Sequence, residues 1–551
     1  MALINEQGIF ILHWDDRSWE KYWKLFSHKI CEKFGNQNIE EHEKVKTILH
    51  CLFDEITDLF TSIIQNQKDV WFFKYVFHFN NNYIDLLLKS NFGKELEQIN
   101  YKNFVINRRV LGLILEQGCD VDITRTEYDD SKKRIFRETL EDLLYIGSWA
   151  YFISDFIAIQ SMLGDSLYID IDKENIIEIK YKSSDIEKIY EHFYKESDYH
   201  FEQAQHNASI ERINNYKTEV QNNFGFNYDF ALGLLNEIQK HHNPLYSNLE
   251  DIEFGILEQN LIKNGGDETL VRQFYNGLYM SSDNKQNIKE AVRRPHNINR
   301  FHYKPLLVYK INNEKRVLSS LNKITETSLM LHLKAYPWNE MYDEWKSNRK
   351  MKEYVQNISN ITGRSLERNI EDILKLKDKF YDTNLTSLKT INNQNIDIIK
   401  KCGEIDFIFL DVIKKNIYVA DAKFLRLRTE NVGYKMDFSS FITKLEPQLT
   451  NKVEYICDNI DLLNTHFQIK YKDQNIDIST YNIIGCFIIS TPTLYMYCDS
   501  KFPIYTLGAL KKILINMKPY EDIEFQKQTA SNIIYPYRIE YPYLKSIRNN
   551  K

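Results

Sequence analysis

Proline and glycine are scarce in this chain, at 10 and 18 of 551 residues. With so few breakers, long flexible linkers are not expected. The seven cysteines, at positions 31, 51, 119, 402, 457, 486 and 498, never form a C-x-x-C pair. That excludes a zinc ribbon and gives no disulfide framework, and an odd count fits a reducing cytosol. Residues 1–7 have no basic run ahead of an apolar one, so no signal peptide is expected. A G-x-x-x-x-G-K-[ST] loop is missing, which argues against nucleotide hydrolysis by that route. No repeat of 20–50 residues is visible. The most apolar stretch, 143–163, contains Ser148, Ser154, Asp155 and Gln160. It reads as a buried core helix rather than a membrane span. Positive charge is not in excess either: the net charge is −6 and the pI about 6.2. A nucleic-acid partner would therefore need a local basic patch.

What is present is ordinary for globular protein, with 43% hydrophobic and 27% charged residues. The length allows two to four domains. Apolar periodicity predicts helices over 19–34, 43–65, 83–96, 137–162 and 228–241, with a short strand pair at 167–172 and 176–182. Gly265-Gly266-Asp267 marks a loop. After Pro305 the pattern changes to a hairpin, Leu306 to Ile311 and Arg316 to Leu318 around Asn312-Asn313-Glu314-Lys315. The expected organisation is α+β multidomain: a mostly helical sensor or partner-docking region over 1–290, a β-hairpin connector with a basic patch over 291–340, and an α/β domain with a central mixed sheet over 341–551.

Two segments in that last region carry the chemistry. Gly403-Glu404-Ile405-Asp406-Phe407-Ile408-Phe409 and Val419-Ala420-Asp421-Ala422-Lys423-Phe424 both read as strands, and each has a carboxylate inside an apolar run. Burying a bare charge costs several kcal/mol unless something compensates. Two carboxylates and a lysine on adjacent strands point to a divalent metal. A turn over 413–416 would close on Val412 with Ile417, set Asp406 across from Lys423 and diagonal to Asp421, and bring both aspartates within reach of one ion. A three-residue loop would shift this register by one. Asp421 and Lys423, two apart, share a face. Carboxylates are hard ligands suited to Mg²⁺ or Mn²⁺. Such an ion lowers the pKa of a bound water and stabilises charge on a phosphoryl oxygen. With a lysine to hold the water or stabilise hydroxide, this is a phosphodiester-hydrolysis constellation.

The pattern resembles the PD-(D/E)XK nuclease superfamily, which includes restriction endonucleases and repair and defence nucleases. The resemblance covers 345–515. It implies a restriction-endonuclease-like core in which a helix supplies a Glu, the next strand an Asp and the following strand (D/E)-x-K. Asp406 matches the strand Asp and Asp421-Ala422-Lys423 the last motif. Upstream, Leu366, Ile370, Ile373 and Leu374 form a helical stripe that carries Glu367, the best match, and Glu371 one turn later. Downstream, Gln448, with Lys452 at i+4 on a helix expected over 446–460 with Pro447 in its first turn, resembles the Gln-bearing motif of some members. Two positions depart from the pattern: Ile405 stands where Pro is usual, and Asp421 where Glu is commoner. The resemblance implies Mg²⁺ or Mn²⁺ held by Asp406, Asp421, the Ala422 carbonyl and Glu367. Lys423 would position or activate the water, and Gln448 would support the site or the substrate backbone.

Outside the metal site, Arg293, Arg294, Arg300 and Lys304 lie in a basic stretch with interleaved aromatics, read either as a phosphate-gripping element or as a solvated connector. Arg426 and Arg428 leave the catalytic strand as a second candidate phosphate contact. His13-Trp14-Asp15-Asp16 reads as a helix cap and His241-His242 as a helix C-terminus. The functional expectation is a Mg²⁺-dependent DNA endonuclease in the cytoplasm, not at a membrane. It would act as an effector in bacterial anti-phage defence or restriction, with a separate ATPase and a second copy of the chain as candidate partners. The competing readings are a catalytically inactive nucleic-acid-binding or scaffold protein that keeps the fold, and an RNA-directed nuclease.

Overall fold

The computed structural model describes residues 3–4, 8–12, 17–89, 101–205, 209–232, 250–377, 379–428, 430–472, 476–528 and 534–544. The protein is α+β and multidomain, with a helical N-terminal region. It divides into two compact units. The first comprises Met1–Gln160, Leu167–Lys180 and Phe201–Ser359; the second comprises Ser161–Ser166, Tyr181–His200 and Asn360–Lys551. The expected boundary at 341 thus moves to about 360. The second unit also takes in a segment from far upstream that sequence periodicity alone could not assign to it.

After a short antiparallel strand pair, Leu3–Ile4 with Phe10–Ile11, come helices α1 (Arg17–Phe34), α2 (His42–Gln65), α3 (Val70–Lys89), α4 (Tyr101–Gln117) and α5 (Lys133–Met162). In α2 the residues Val45, Ile48, Leu49, Leu52, Phe53, Ile56, Phe60 and Ile64 are buried, an apolar stripe at helical spacing. Helix α3 starts thirteen residues earlier than periodicity suggests, because Asp69 caps it by accepting the Trp71 N–H at 3.0 Å. Residues 90–96 of that expectation lie outside the described residues, as do 13–16, 233–241 and His242. The strand pair is found at Leu167–Ile171 and Ile177–Tyr181. Among the described residues one helix, Asp130–Met162, is long and apolar enough to cross a membrane, and most of it is buried within the protein.

The hairpin after Pro305 is the centre of a sheet in the first unit rather than a connector. Strands β1 (Asp122–Ile123), β2 (Glu250–Glu253), β3 (Tyr279–Met280), β4 (Leu306–Ile311) and β5 (Glu314–Ser319) are ordered β1-β4-β5-β2, with β3 also on β4. The basic stretch before it is structural as well, which corrects the phosphate-gripping reading. Arg300 is 2% exposed, and its Nε donates to both Glu116 carboxylate oxygens, at 2.8 and 2.9 Å. Lys304 is fully buried and donates to Glu344 at 3.0 Å and to the Gly277 carbonyl at 3.1 Å. Arg293 lies over the Phe53 ring at 4.9 Å, and Arg294 pairs with Glu290 one turn away at 3.1 Å. Buried charges persist only when paired, and each of the two buried cations has its carboxylate. The solvated-connector alternative fails for the same reason.

In the second unit, most of α6 (Ser184–Gln205), up to His200, comes from the upstream segment, and α7 (Arg349–Leu376) begins in the first unit and continues into the second. A mixed sheet follows, as expected: β6 (Tyr381–Leu385), β7 (Ile405–Asp411), β8 (Asn416–Lys423), β9 (Asn482–Ile489) and β10 (Ile504–Thr506), in that spatial order. The pairs β6-β7 and β7-β8 are antiparallel, and β8-β9 and β9-β10 are parallel. Strand β7 is therefore not the first strand after α7. Strand β6 and a small hairpin, Ser387–Lys389 with Asn395–Asp397, intervene. Between β8 and β9 run α8 (Asn431–Ser440), a π-helical turn at Phe441–Leu445, α9 (Glu446–Asp458) and α10 (Ile460–Lys470). Pro447 sits inside this continuous helical run, after the π-turn, rather than at a free helix start.

Candidate active site

The two carboxylate-bearing strands are adjacent, but their register differs from the expectation by two residues. Leu410 pairs with Ile417 and Asp411 with Asn416, so the turn is 412–415. Asp411 ends the strand because its carboxylate accepts the Lys414 N–H at 3.2 Å, and Lys415 takes the left-handed conformation, φ 52°. Val412 and Ile413 look like strand by composition yet are 47% and 77% exposed at the turn. Because the slip is even, every side chain keeps its face. Extending the ladder by one pair beyond Phe407–Ala420 sets Asp406 opposite Asp421.

That placement brings the expected residues together. The Ala422 N–H donates to Asp406 Oδ2 at 2.8 Å. Lys423 Nζ is 3.2 Å from Asp421 Oδ2 and 3.7 Å from Asp406 Oδ2. Asp421 is fully buried, and its Oδ2 faces the Lys423 ammonium. Along β8 the backbone edges alternate: the Ala422 N–H faces β7, while the Lys423 carbonyl accepts from Ser490 N on the β9 side. The Ala422 carbonyl therefore leaves on the β7 edge, beside Asp406. Burial, with the nearby Asp421 charge, holds Asp406 above the usual carboxylate range although Lys423 and Lys452 pull it down.

Helix α7 buries Leu366, Ile370, Ile373 and Leu374, as read from the sequence. Glu367 is held above its usual range by burial and by the charges of Asp406 and Glu404, with Arg364 and Lys423 opposing. It therefore shares the field of the aspartate pair. Glu371 is occupied elsewhere, accepting from Tyr381 Oη at 3.2 Å and pairing with Lys375 at 2.8 Å. Of the two, Glu367 is the one that feels the Asp406 charge. Among the described residues, no three His, Cys, Asp or Glu side chains close on one point.

Gln448 does not reach the site: it is exposed. The residue that does is Lys452, one turn later, whose Nζ lies 2.5 Å from Asp421 Oδ1. It belongs to the buried stripe of α9 with Leu449 and Ile456. A lysine on an apolar stripe was the signal available in the sequence. Helix α9 approaches closely because Gly485 on β9 lacks a side chain. A Cβ there would lie 2.7 Å from both the Val453 methyl and the Phe502 ring. Arg428 also turns inward, pairing with Asp437 at 3.0 Å, and Thr493 Oγ1 donates to the other Asp437 oxygen at 3.0 Å. Arg426 Nε and Nη2 are out of solvent. Arg428, held by Asp437, does not offer the phosphate contact expected of it.

The donor set of Asp406, Asp421 and the Ala422 carbonyl, all hard oxygens, suits Mg²⁺ or Mn²⁺ with water in the remaining positions. Asp421 Oδ2, met among the described residues by the Lys423 ammonium, keeps lone-pair capacity for a cation as well. No protein-family model, no curated protein and no solved structure matches the chain.

Proposed function

We propose that this protein is a metal-dependent nuclease that hydrolyses DNA phosphodiester bonds. The observation that carries the reading is Asp421: a fully buried carboxylate set beside Asp406, with a lysine ammonium 3.2 Å from its Oδ2. Asp406, Asp421 and the Ala422 carbonyl would hold Mg²⁺ or Mn²⁺, with Glu367 joining directly or through water. Bound there, the ion would supply Lewis acidity toward a phosphoryl oxygen and a water of lowered pKa. Lys423, whose side chain is 24% exposed, can meet both the carboxylates and an incoming phosphate. Its ammonium orients the attacking water and stabilises negative charge developing on the phosphate. Glu367, held toward its protonated form by the like charges around it, ionises more readily when a cation enters. In this proposal the first unit reads a trigger or docks a partner such as an ATPase. The enzyme then serves as a defence effector, and paired copies would cut both strands.

The test is cleavage of plasmid DNA with Mg²⁺ or Mn²⁺, using wild type, Asp421→Asn and Lys423→Ala, with chelator controls and a parallel RNA substrate. Each variant is expected to lose about 10²-fold or more of the cleavage rate while still folding. Equal rates in all three would sink the site assignment. One observation favours a second reading, a scaffold that keeps the fold without the reaction: Lys452 already neutralises Asp421. A wild type that binds DNA and cuts neither substrate would select it.

A further inference from the structure

We infer that Lys452 is a built-in competitor of the divalent cation for Asp421. This rests on the metal-site reading above and goes beyond it. Asp421 is gripped from two sides, with Lys452 Nζ at 2.5 Å from Oδ1 and Lys423 Nζ at 3.2 Å from Oδ2. Only one lysine is needed at the reacting phosphate, and Lys423 is the more exposed of the two, 24% against 10%. Lys452 is delivered from a different element and packed in a buried helical stripe with Leu449 and Ile456.

Charge counting gives it a role. Asp406 and Asp421 balance Lys423 and Lys452. With Glu367 ionised the five groups carry one net negative charge. A divalent ion added to that set leaves a net positive charge in a buried place, whereas without Lys452 the loaded site would be neutral. Uncompensated charge in a low-dielectric site is costly. Lys452 therefore does two things. It keeps a fully buried Asp421 paired when no ion is bound, and it raises the cation concentration at which the site fills. For an ion to take Asp421 Oδ1, the Lys452 ammonium must withdraw along the side of α9. Gly403 lies beside that side chain: a Cβ built on it would stand 4.0 Å from the Lys452 Cε, an ordinary van der Waals distance.

The experiment is calorimetric titration of Mn²⁺ into the full chain without DNA, comparing wild type, Lys452→Met, Lys452→Gln and Asp421→Asn, with the melting temperature of each recorded with and without Mn²⁺. Removing the competing ammonium is expected to tighten Mn²⁺ binding about 10-fold or more, a size seen when groups around metal ligands change. The two Lys452 variants should melt below wild type in chelator and be raised more than wild type by Mn²⁺. Asp421→Asn should abolish the binding. Affinity that is unchanged or weaker in both Lys452 variants, with Asp421→Asn still losing it, overturns the competition while leaving the metal site standing. If no Mn²⁺ binding is lost in Asp421→Asn, the metal-site reading itself falls, and the competition with it. Lys452→Gln keeps a hydrogen bond to Asp421, so it decides the matter if Lys452→Met fails to fold.

Discussion

Asp406 is a carboxylate kept above its ordinary range chiefly by burial. The linkage sign follows: between the ordinary carboxylate pKa and the raised value, the folded chain binds more protons than the unfolded one, so ionising Asp406 costs stability as pH rises through that window. In chelator, Asp406→Asn should therefore melt higher than wild type near neutral pH, and the gap should close below the ordinary carboxylate range. With Mn²⁺ the order should reverse, because only wild type gains binding energy; at 100-fold over Kd that gain is about 2.7 kcal/mol. Calorimetric scans at several pH values check this, and a pH-independent gap would refute it. At this scale the sequence was informative wherever a charge broke an apolar strand: Asp406, Asp421 and Lys423 were all identified that way. It misled wherever a charge was countered by a distant partner. Arg300 with Glu116 and Arg428 with Asp437 look like basic patches in one dimension and are buried ion pairs in three.

At the level of elements, the mixed sheet and the stripe of α7 were readable, since β7 is apolar on both faces and α7 repeats at helical spacing. The turn was not, because Val412 and Ile413 imitate strand residues and Asp411 hides a side-chain cap. Helix α9 was placed correctly in sequence, but periodicity gave no sign of the π-turn ahead of it or of the glycine that sets its distance from the sheet. Gly485→Ala is expected to cost roughly 1–3 kcal/mol by overpacking, since Val453 and the Phe502 ring must both give way. Because Val453 adjoins Lys452, the substitution should also loosen the Lys452–Asp421 pair and tighten Mn²⁺ binding. Denaturant midpoints and the same titration measure the two effects. A variant as stable as wild type would mean that the helix is not held at this distance.

On the scale of the whole molecule, the second unit is discontinuous in sequence. Phe193 on α6 is fully buried and stacks edge-on against Tyr434 at 5.1 Å and Tyr497 at 5.8 Å. Asp185 on the same helix accepts from Tyr537 Oη at 3.0 Å. A fragment of residues 341–551, the boundary that the sequence suggests, therefore lacks part of its own core. It should melt without a sharp transition, and linking residues 181–200 to it should restore one. In the full chain Phe193→Ala should cost about 3–5 kcal/mol in the second unit. A sharply melting 341–551 fragment would count against the assignment. Composition gave no hint of this excursion, because an amphipathic helix does not reveal which core it serves.

The excursion also has a consequence in time. Chains leave the ribosome at about 5–20 residues per second, so the stretch from 200 to 360 takes roughly 10–30 s to emerge. Through that interval Phe193 waits without Tyr434 or Tyr497. The strands that carry Asp406 and Asp421 cannot close around it until the first unit has already been made. In a cell, synthesis of the second unit is completed only after every residue of the first has been made.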